Sequence, residues 1–239
     1  MYYKLSNIAE RRLIEEEFGI AFKHPKLYQP CPVINGFNEE ILPVITAKQP
    51  DFILYAIWGI LPEQYEDDWA EFQKITNTLN VTEDSINSDI WYAGAFYARR
   101  CLIITTGFFT SYISNGTVYP YYVHLPHEKP FCMAGIYNEL EDGFLTTSLI
   151  LSNTDNFVGR IENTSNYMPL IIPELFYDEW LDLSTPIDRV KQILGKQVRG
   201  KLKAHTIEKE FYKNDILYDS MLQPVSYKNI MKEVNLFAV

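Results

Sequence analysis

Four histidines, three cysteines and 31 carboxylates are the side chains of this 239-residue sequence that chemistry would draw on first. Their spacing assembles no common catalytic set. His24, His124, His127 and His205 form no His-x-x-x-His pair, and Cys31, Cys101 and Cys132 form no Cys-x-x-Cys pair. No glycine-rich phosphate loop and no G-x-S-x-G elbow occurs. An odd number of unpaired cysteines suits reduced, buried thiols. His124 falls in a strand pattern and reads as structural. These residues lead us to expect no metal site and no cofactor.

Charge narrows the partners. The formal net charge is -10, whereas a protein that grips phosphate backbones shows a basic footprint. The local exception runs from Asp188 to Lys203, with Arg189, Lys191, Lys196, Arg199, Lys201 and Lys203 against a single acid. The opposite extreme is "PEQYEDDWAEF", with Glu63, Glu66, Asp67, Asp68 and Glu71. Such runs read first as solvated faces, and the acidic 63–71 face reads second as a protein-partner surface. No apolar run reaches membrane-spanning length and no charged-then-apolar leader opens the chain, so no membrane partner and a cytoplasmic location are expected.

The elements that must position any site are legible in outline. Aromatic residues make up 15% of the chain, which favours strands. Asn7 and Glu10 are spaced as a capping box for a first helix, with Ile8, Leu13, Ile14 and Phe18 on its apolar face and Gly19 at its end. "DFILYAIWGI" reads as a buried strand, and a second helix spans Asp67 to about Thr76. "RCLIITTGFF" and "VYPYYVHL" flank an Asn115-Gly116 hairpin turn, and "PFCMAGIYNEL" and "FLTTSLILS" flank Glu141-Asp142-Gly143. "TDNFVGRIE" reads as a short helix capped by Thr154, and "YMPLII" as a further strand. With no repeat or linker, the expectation is one α+β domain of curved, mainly antiparallel, barrel-like sheets with peripheral helices.

The order of local strings carries more than any one of them. "WGILP" (58–62), "NTLNVTEDSI" (77–86), "RRCLIITTGFF" (99–109), "PYYVHL" (120–125), "FCMAGIYNEL" (131–140) and "RIENTSNYMPLII" (160–172) follow one another with compatible gaps. This series resembles the SOS-response-associated peptidase (SRAP) family of abasic-site shielding proteins. Members read W-G-L-I-P, N-A-R-x-E-T, R-R-C-L-x-P-x-x-G-F-[YF]-E-W, P-Y-[YF]-I, F-A-G-I-W and I-H-x-R-M-P-x-I-L. The resemblance covers Met1 to about Leu181, leaving 182–239 as a C-terminal extension expected to pack on a single SRAP-like domain. It implies the SRAP fold, with a groove for single-stranded DNA. It also implies a reaction in which an N-terminal cysteine, exposed by removal of methionine, joins the aldehyde of an abasic site as a thiazolidine.

Carried over residue by residue, the resemblance implies a site stripped of that reaction. The nucleophile position is Tyr2, and a phenol with an ordinary pKa near 10 forms no thiazolidine. The family asparagine is retained as Asn80. Thr110 stands at the family glutamate and Glu162 at the family histidine. Thr82 stands where the family has an arginine that pairs with phosphate, and Tyr167 where it has the arginine before M-P. Lys4 keeps a basic residue, and Pro43, Trp58 and the positions of Thr82 and Tyr167 complete the candidate DNA-contacting set. Cys101 and Trp58 read primarily as core residues. Three functional readings stay open. One is a catalytically degenerate SRAP protein with weakened single-stranded DNA binding. Another is a protein-interaction module that keeps only the fold. The third is a pocket whose carboxylate has moved to Glu162 as a new acid or base.

Overall fold

The opening "MYYKLSN" becomes β1 (Lys4–Asn7), a strand buried at every position. Its capping role is overturned, because Asn7 belongs to the strand and donates from Nδ2 to the Ile104 carbonyl at 3.2 Å. The following helix, α1 (Arg11–Phe18), starts after Glu10 with no side-chain cap, and ends as expected on Gly19 in the left-handed region (φ 67°). The computed structural model describes residues 2–86, 88, 90–195, 202–212, 220–228, 230 and 233–235.

Next come β2 (Ala21–Phe22), β3 (Cys31–Asn35), β4 (Ile41–Thr46) and β5 (Gln49–Trp58). The acidic stretch then forms α2 (Trp69–Ile75), whose N-cap Asp68 accepts from the Glu71 amide at 3.0 Å. After it lie β6 (Asn80–Thr82), α3 (Glu83–Ile86) and α4 (Ala93–Ala98). The β-rich centre consists of β7 (Arg100–Thr105), β8 (Gly107–Ser114), β9 (Thr117–His124), β10 (Phe131–Glu139) and β11 (Leu145–Asn153). The chain closes with β12 (Tyr167–Pro169), α5 (Tyr177–Leu181), α6 (Ile187–Leu194), β13 (Lys203–Thr206) and β14 (Glu233–Asn235).

These strands build two sheets, one ordered β14-β13-β9-β8-β1-β3 and the other β12-β11-β10-β7-β4-β5-β2, with β6 added on β11. A parallel pairing of β11 with β5, at Thr146 with Ile57 and Thr147 with Trp58, closes the second sheet into a ring. The expected curved, mainly antiparallel α+β architecture is what forms. The expected helix over "TDNFVGRIE" shrinks to one 3₁₀ turn at Val158–Arg160. Its N-cap is Phe157, with no side-chain cap, and in the loop before it Asp155, not Thr154, accepts from the Phe157 and Val158 amides at 2.9 and 2.7 Å.

The continuous apolar run of β7 follows from burial on both faces. Cys101 and Ile103 point into one core with Trp58, Met133 and Leu149. Leu102 and Ile104 point the other way, under Trp180, Val190 and Ile193 of α5 and α6. "RCLIITTGFF" is therefore two strands in different sheets. At the switch, Thr105 Oγ1 donates to the Ser6 carbonyl at 2.6 Å and the Thr106 amide does so at 2.8 Å. Only glycine fits at 107, since a Cβ there would lie 2.3 Å from the Tyr122 ring and 2.7 Å from the Val123 carbonyl. Arg100, the first residue of β7, is buried and donates to the carbonyls of Trp180 (2.7 Å), Phe96 (3.2 Å), Tyr97 (3.1 Å) and Asp182 (2.9 Å), joining α4 and α5 to the sheet.

Candidate functional site

Where β1 and β8 run side by side, their upstream and downstream ends open onto a pocket of about 590 Å³. Tyr2, Tyr3 and Lys4 form one wall, Thr110 and Ser111 of β8 another, and Glu162, Thr164 and Ser165 a third. Lys209 and Tyr212, from a 3₁₀ turn at Lys209–Tyr212, close the remaining side.

Tyr2 is only 3% exposed, with its ring edge-on to Phe108 at a centroid distance of 5.8 Å. The Asn80 side-chain amide holds its main-chain carbonyl at 2.7 Å. The phenol hydroxyl is buried without a hydrogen-bond partner, as is Asn80 Oδ1. Thr110 lies against the phenol and lowers its pKa slightly, but the Thr110 hydrogen is committed to Glu162. Burial, reinforced by the negative charge of Glu162, pushes the Tyr2 phenol far above its ordinary value. It is a neutral hydroxyl and no nucleophile.

Glu162 is buried, at 7% exposure. Its Oε2 accepts from the Thr110 hydroxyl and from the Ser111 amide at 3.3 Å. Its Oε1 accepts from the Thr164 hydroxyl, from the Thr164 amide at 2.6 Å and from the Ser165 amide at 3.1 Å. Five donors satisfy a buried carboxylate that would otherwise be costly. They also fix the 162–165 turn against β8. Neighbouring Asn163 reinforces this by pairing its side-chain amide with the Ile113 amide (2.7 Å) and carbonyl (2.9 Å). A carboxylate so occupied organises the wall of the pocket.

Lys4 is buried at 8% exposure, its ammonium donating to the Phe211 carbonyl at 3.2 Å. It sits 4.7 Å from the Phe211 ring centroid, 5.7 Å from that of Tyr212 and 5.9 Å from that of Tyr3. Lys209 lies 4.5 and 4.9 Å from the rings of Tyr119 and Tyr227. The positive charges at the pocket are thus held on aromatic faces.

Tyr2, Lys4, Thr110 and Glu162 therefore line one pocket, and Asn80 reaches it through the Tyr2 carbonyl. The remaining candidates are placed elsewhere or differently. Trp58 is fully buried, with Nε1 donating to the Leu79 carbonyl at 2.8 Å, and presents no face for a base to stack on. Pro43 is buried in β4. Thr82 accepts from the Ser85 amide at 3.2 Å and so starts α3. Tyr167 is half-buried on the edge strand β12. In the basic segment Arg189 is paired with Glu179 at 2.5 Å, and Lys196, Arg199 and Lys201 lie outside the described residues. Among the described residues, no group of histidines, cysteines and carboxylates is arranged to hold a metal ion, and no helix is long and apolar enough to cross a membrane.

Sequence reasoning missed Tyr3, Lys209 and Tyr212. Lys4 contacts Phe211 across a separation of 207 residues, and only the interleaving of cation and aromatics in "EKEFY" could have drawn attention there.

The fold is shared with solved structures. A protein from Bacteroides thetaiotaomicron matches with a TM-score of 0.80 at 23% identity, over 92% of this chain and 98% of that one. A protein from Bordetella bronchiseptica matches at 0.70 and 15% identity, over 86% and 99% of the two chains. A phage-related protein from the same organism matches at 0.61 and 14% identity, over 86% and 94%. Residues 2–214 match the model of one family, well past the Leu181 limit expected from local strings. On that match, the chain belongs to the SOS response associated peptidase (SRAP) family.

Proposed function

We propose that this protein binds single-stranded DNA in the Tyr2 pocket without forming a covalent bond to it. The observation that carries the reading is the state of residue 2. A buried, neutral phenol lines the pocket at the position where the family reaction requires an aminothiol. The neighbouring positions agree, since Thr110 and Glu162 are spent on each other and on the 162–165 turn. DNA remains the best-supported partner because the family is one of the DNA-damage response and because Tyr3, Tyr212 and Lys209 line the pocket. Aromatic rings beside cations suit a flexible strand with splayed bases. The net charge of -10 keeps such binding weak and steeply salt-dependent.

The test pairs a denaturing gel with fluorescence anisotropy, using an abasic oligonucleotide, an intact single strand and a duplex at two salt concentrations. The expected result is no adduct that survives denaturation, with single strands bound better than duplex and more weakly at the higher salt. An adduct that depends on the N-terminus would overturn the non-covalent reading. Failure to bind any single strand at the lower salt would overturn the DNA reading.

A further inference from the structure

Away from the pocket, the acidic stretch folds into an aromatic surface. Tyr65 packs edge-on against Phe72 of α2 at 4.9 Å, and Phe72 packs edge-on against Trp91 at 6.0 Å. Trp91 in turn meets the buried Tyr92 at 5.2 Å. Trp91 is nevertheless 42% exposed, and Ile75, one helical turn beyond Phe72, is 86% exposed. An indole held edge-on between two rings and still open to solvent is a rigid apolar anchor with little ordering entropy left to lose. None of these residues lines the Tyr2 pocket.

Between residues 63 and 76 lie five carboxylates and one lysine. The lysine, Lys74, is taken up by Glu71 at 2.5 Å, and Glu63 pairs with Arg99 at 3.0 Å. Glu66 and Asp67 are exposed and have no ion-pair partner among the described residues. Burial first, and then the negative charges of Asp67, Asp68 and Glu71, raise the pKa of Tyr65. Negative charge therefore rims the aromatic patch.

That combination selects its occupant. A nucleic acid strand is repelled by the rim. A second copy docking isologously would set one acidic rim against the other. A basic segment with an apolar side chain satisfies both parts at once. We infer that the α2 face, centred on Trp91 and Ile75 and rimmed by Glu66 and Asp67, docks a partner protein through a basic amphipathic segment.

The test uses the full chain and a fluorescein-labelled helical peptide of leucine and lysine, about 14 residues long. A glutamate-for-lysine version of the peptide serves as its control. The expected outcome is saturable binding of the basic peptide only. Ile75→Ser and Trp91→Ala should each weaken it by about tenfold. Glu66→Gln with Asp67→Asn should weaken it by about fivefold and flatten its salt dependence. Glu16→Gln with Asp51→Asn, an equal charge change elsewhere, should alter it by less than about twofold. Ile75 is so exposed that its replacement leaves folding intact, which circular dichroism checks, and this keeps the test meaningful should Trp91→Ala destabilise the chain.

Three results would overturn the proposal. One is no binding of the basic peptide. Another is equal loss from the two charge pairs with no effect of Ile75→Ser, which would leave only non-specific attraction. The last is a dimer in sedimentation that Ile75→Ser dissolves, which would assign the face to a second copy.

Discussion

The Asn80 side-chain amide donates to the Tyr2 carbonyl at 2.7 Å, tying the strand that adds onto β11 to the residue that floors the pocket. Its Oδ1 is buried and unpartnered, so the amide contributes only as a donor. Asn80→Ala leaves the Tyr2 carbonyl without that donor and should cost about 1–2 kcal/mol. Asn80→Asp should cost more at neutral pH, because a carboxylate cannot donate and would face a carbonyl. Urea unfolding of the two variants checks the order.

Tyr2→Phe removes a buried hydroxyl that makes no hydrogen bond of normal geometry and lies against Thr110. The ring contact with Phe108 is retained. The expected result is a gain of about 1 kcal/mol in unfolding free energy. A loss of stability would mean that the hydroxyl is satisfied in solution.

Glu162→Gln replaces one of two acceptor oxygens, both of which face donors, with an amide group that must itself donate. The substitution should cost about 2–4 kcal/mol. Its local signature is faster hydrogen exchange at the Ser111, Thr164 and Ser165 amides, with Cys101 and Ile103 of the distant ring less affected.

Alkaline pH should unfold the protein through groups the fold keeps protonated. Burial pushes the Cys101 thiol from 9.0 up to about 12 and the Tyr122 phenol from 10.0 up to about 12. Below pH 9 both groups are protonated in folded and unfolded chains alike, so they make no difference. Between the ordinary values and pH 12 the unfolded chain loses protons that the folded chain keeps. Stability then falls as pH rises, by about 1.4 kcal/mol per pH unit for each group titrating. Urea midpoints measured from pH 8 to 11 should decline from about pH 9, and Tyr122→Phe should make the upper part of the decline shallower.

The sequence revealed the fold where local signals and tertiary demands agree. Asn115 and Gly116 both take positive φ in the β8–β9 turn, as does Gly143 in the β10–β11 turn. Asn7 misled because its short polar side chain serves equally well as a helix cap or as a partner for a distant carbonyl, here that of Ile104. The break at Thr106 stayed hidden because β7 and the first half of β8 are both buried and so read as one apolar run. The core of the site, Tyr2 with Asn80, Thr110 and Glu162, was legible only as positions in an ordered series of strings. Periodicity has no means of placing residues 2, 80, 110 and 162 together. The wall formed by Lys209 and Tyr212 rests on contacts across two hundred residues, such as Lys4 with Phe211.

The switch at Thr106 also governs the order in which this molecule can be assembled during its synthesis. Ser6 accepts from Thr105 across 99 residues, and Leu5 sits opposite Phe108 in the sheet. At roughly 5–20 residues per second of elongation, the first strand waits about 5–20 s for that edge to leave the ribosome. Through that interval Lys4–Asn7 has only β3 to pair with, and its other edge stays unpaired until β8 emerges.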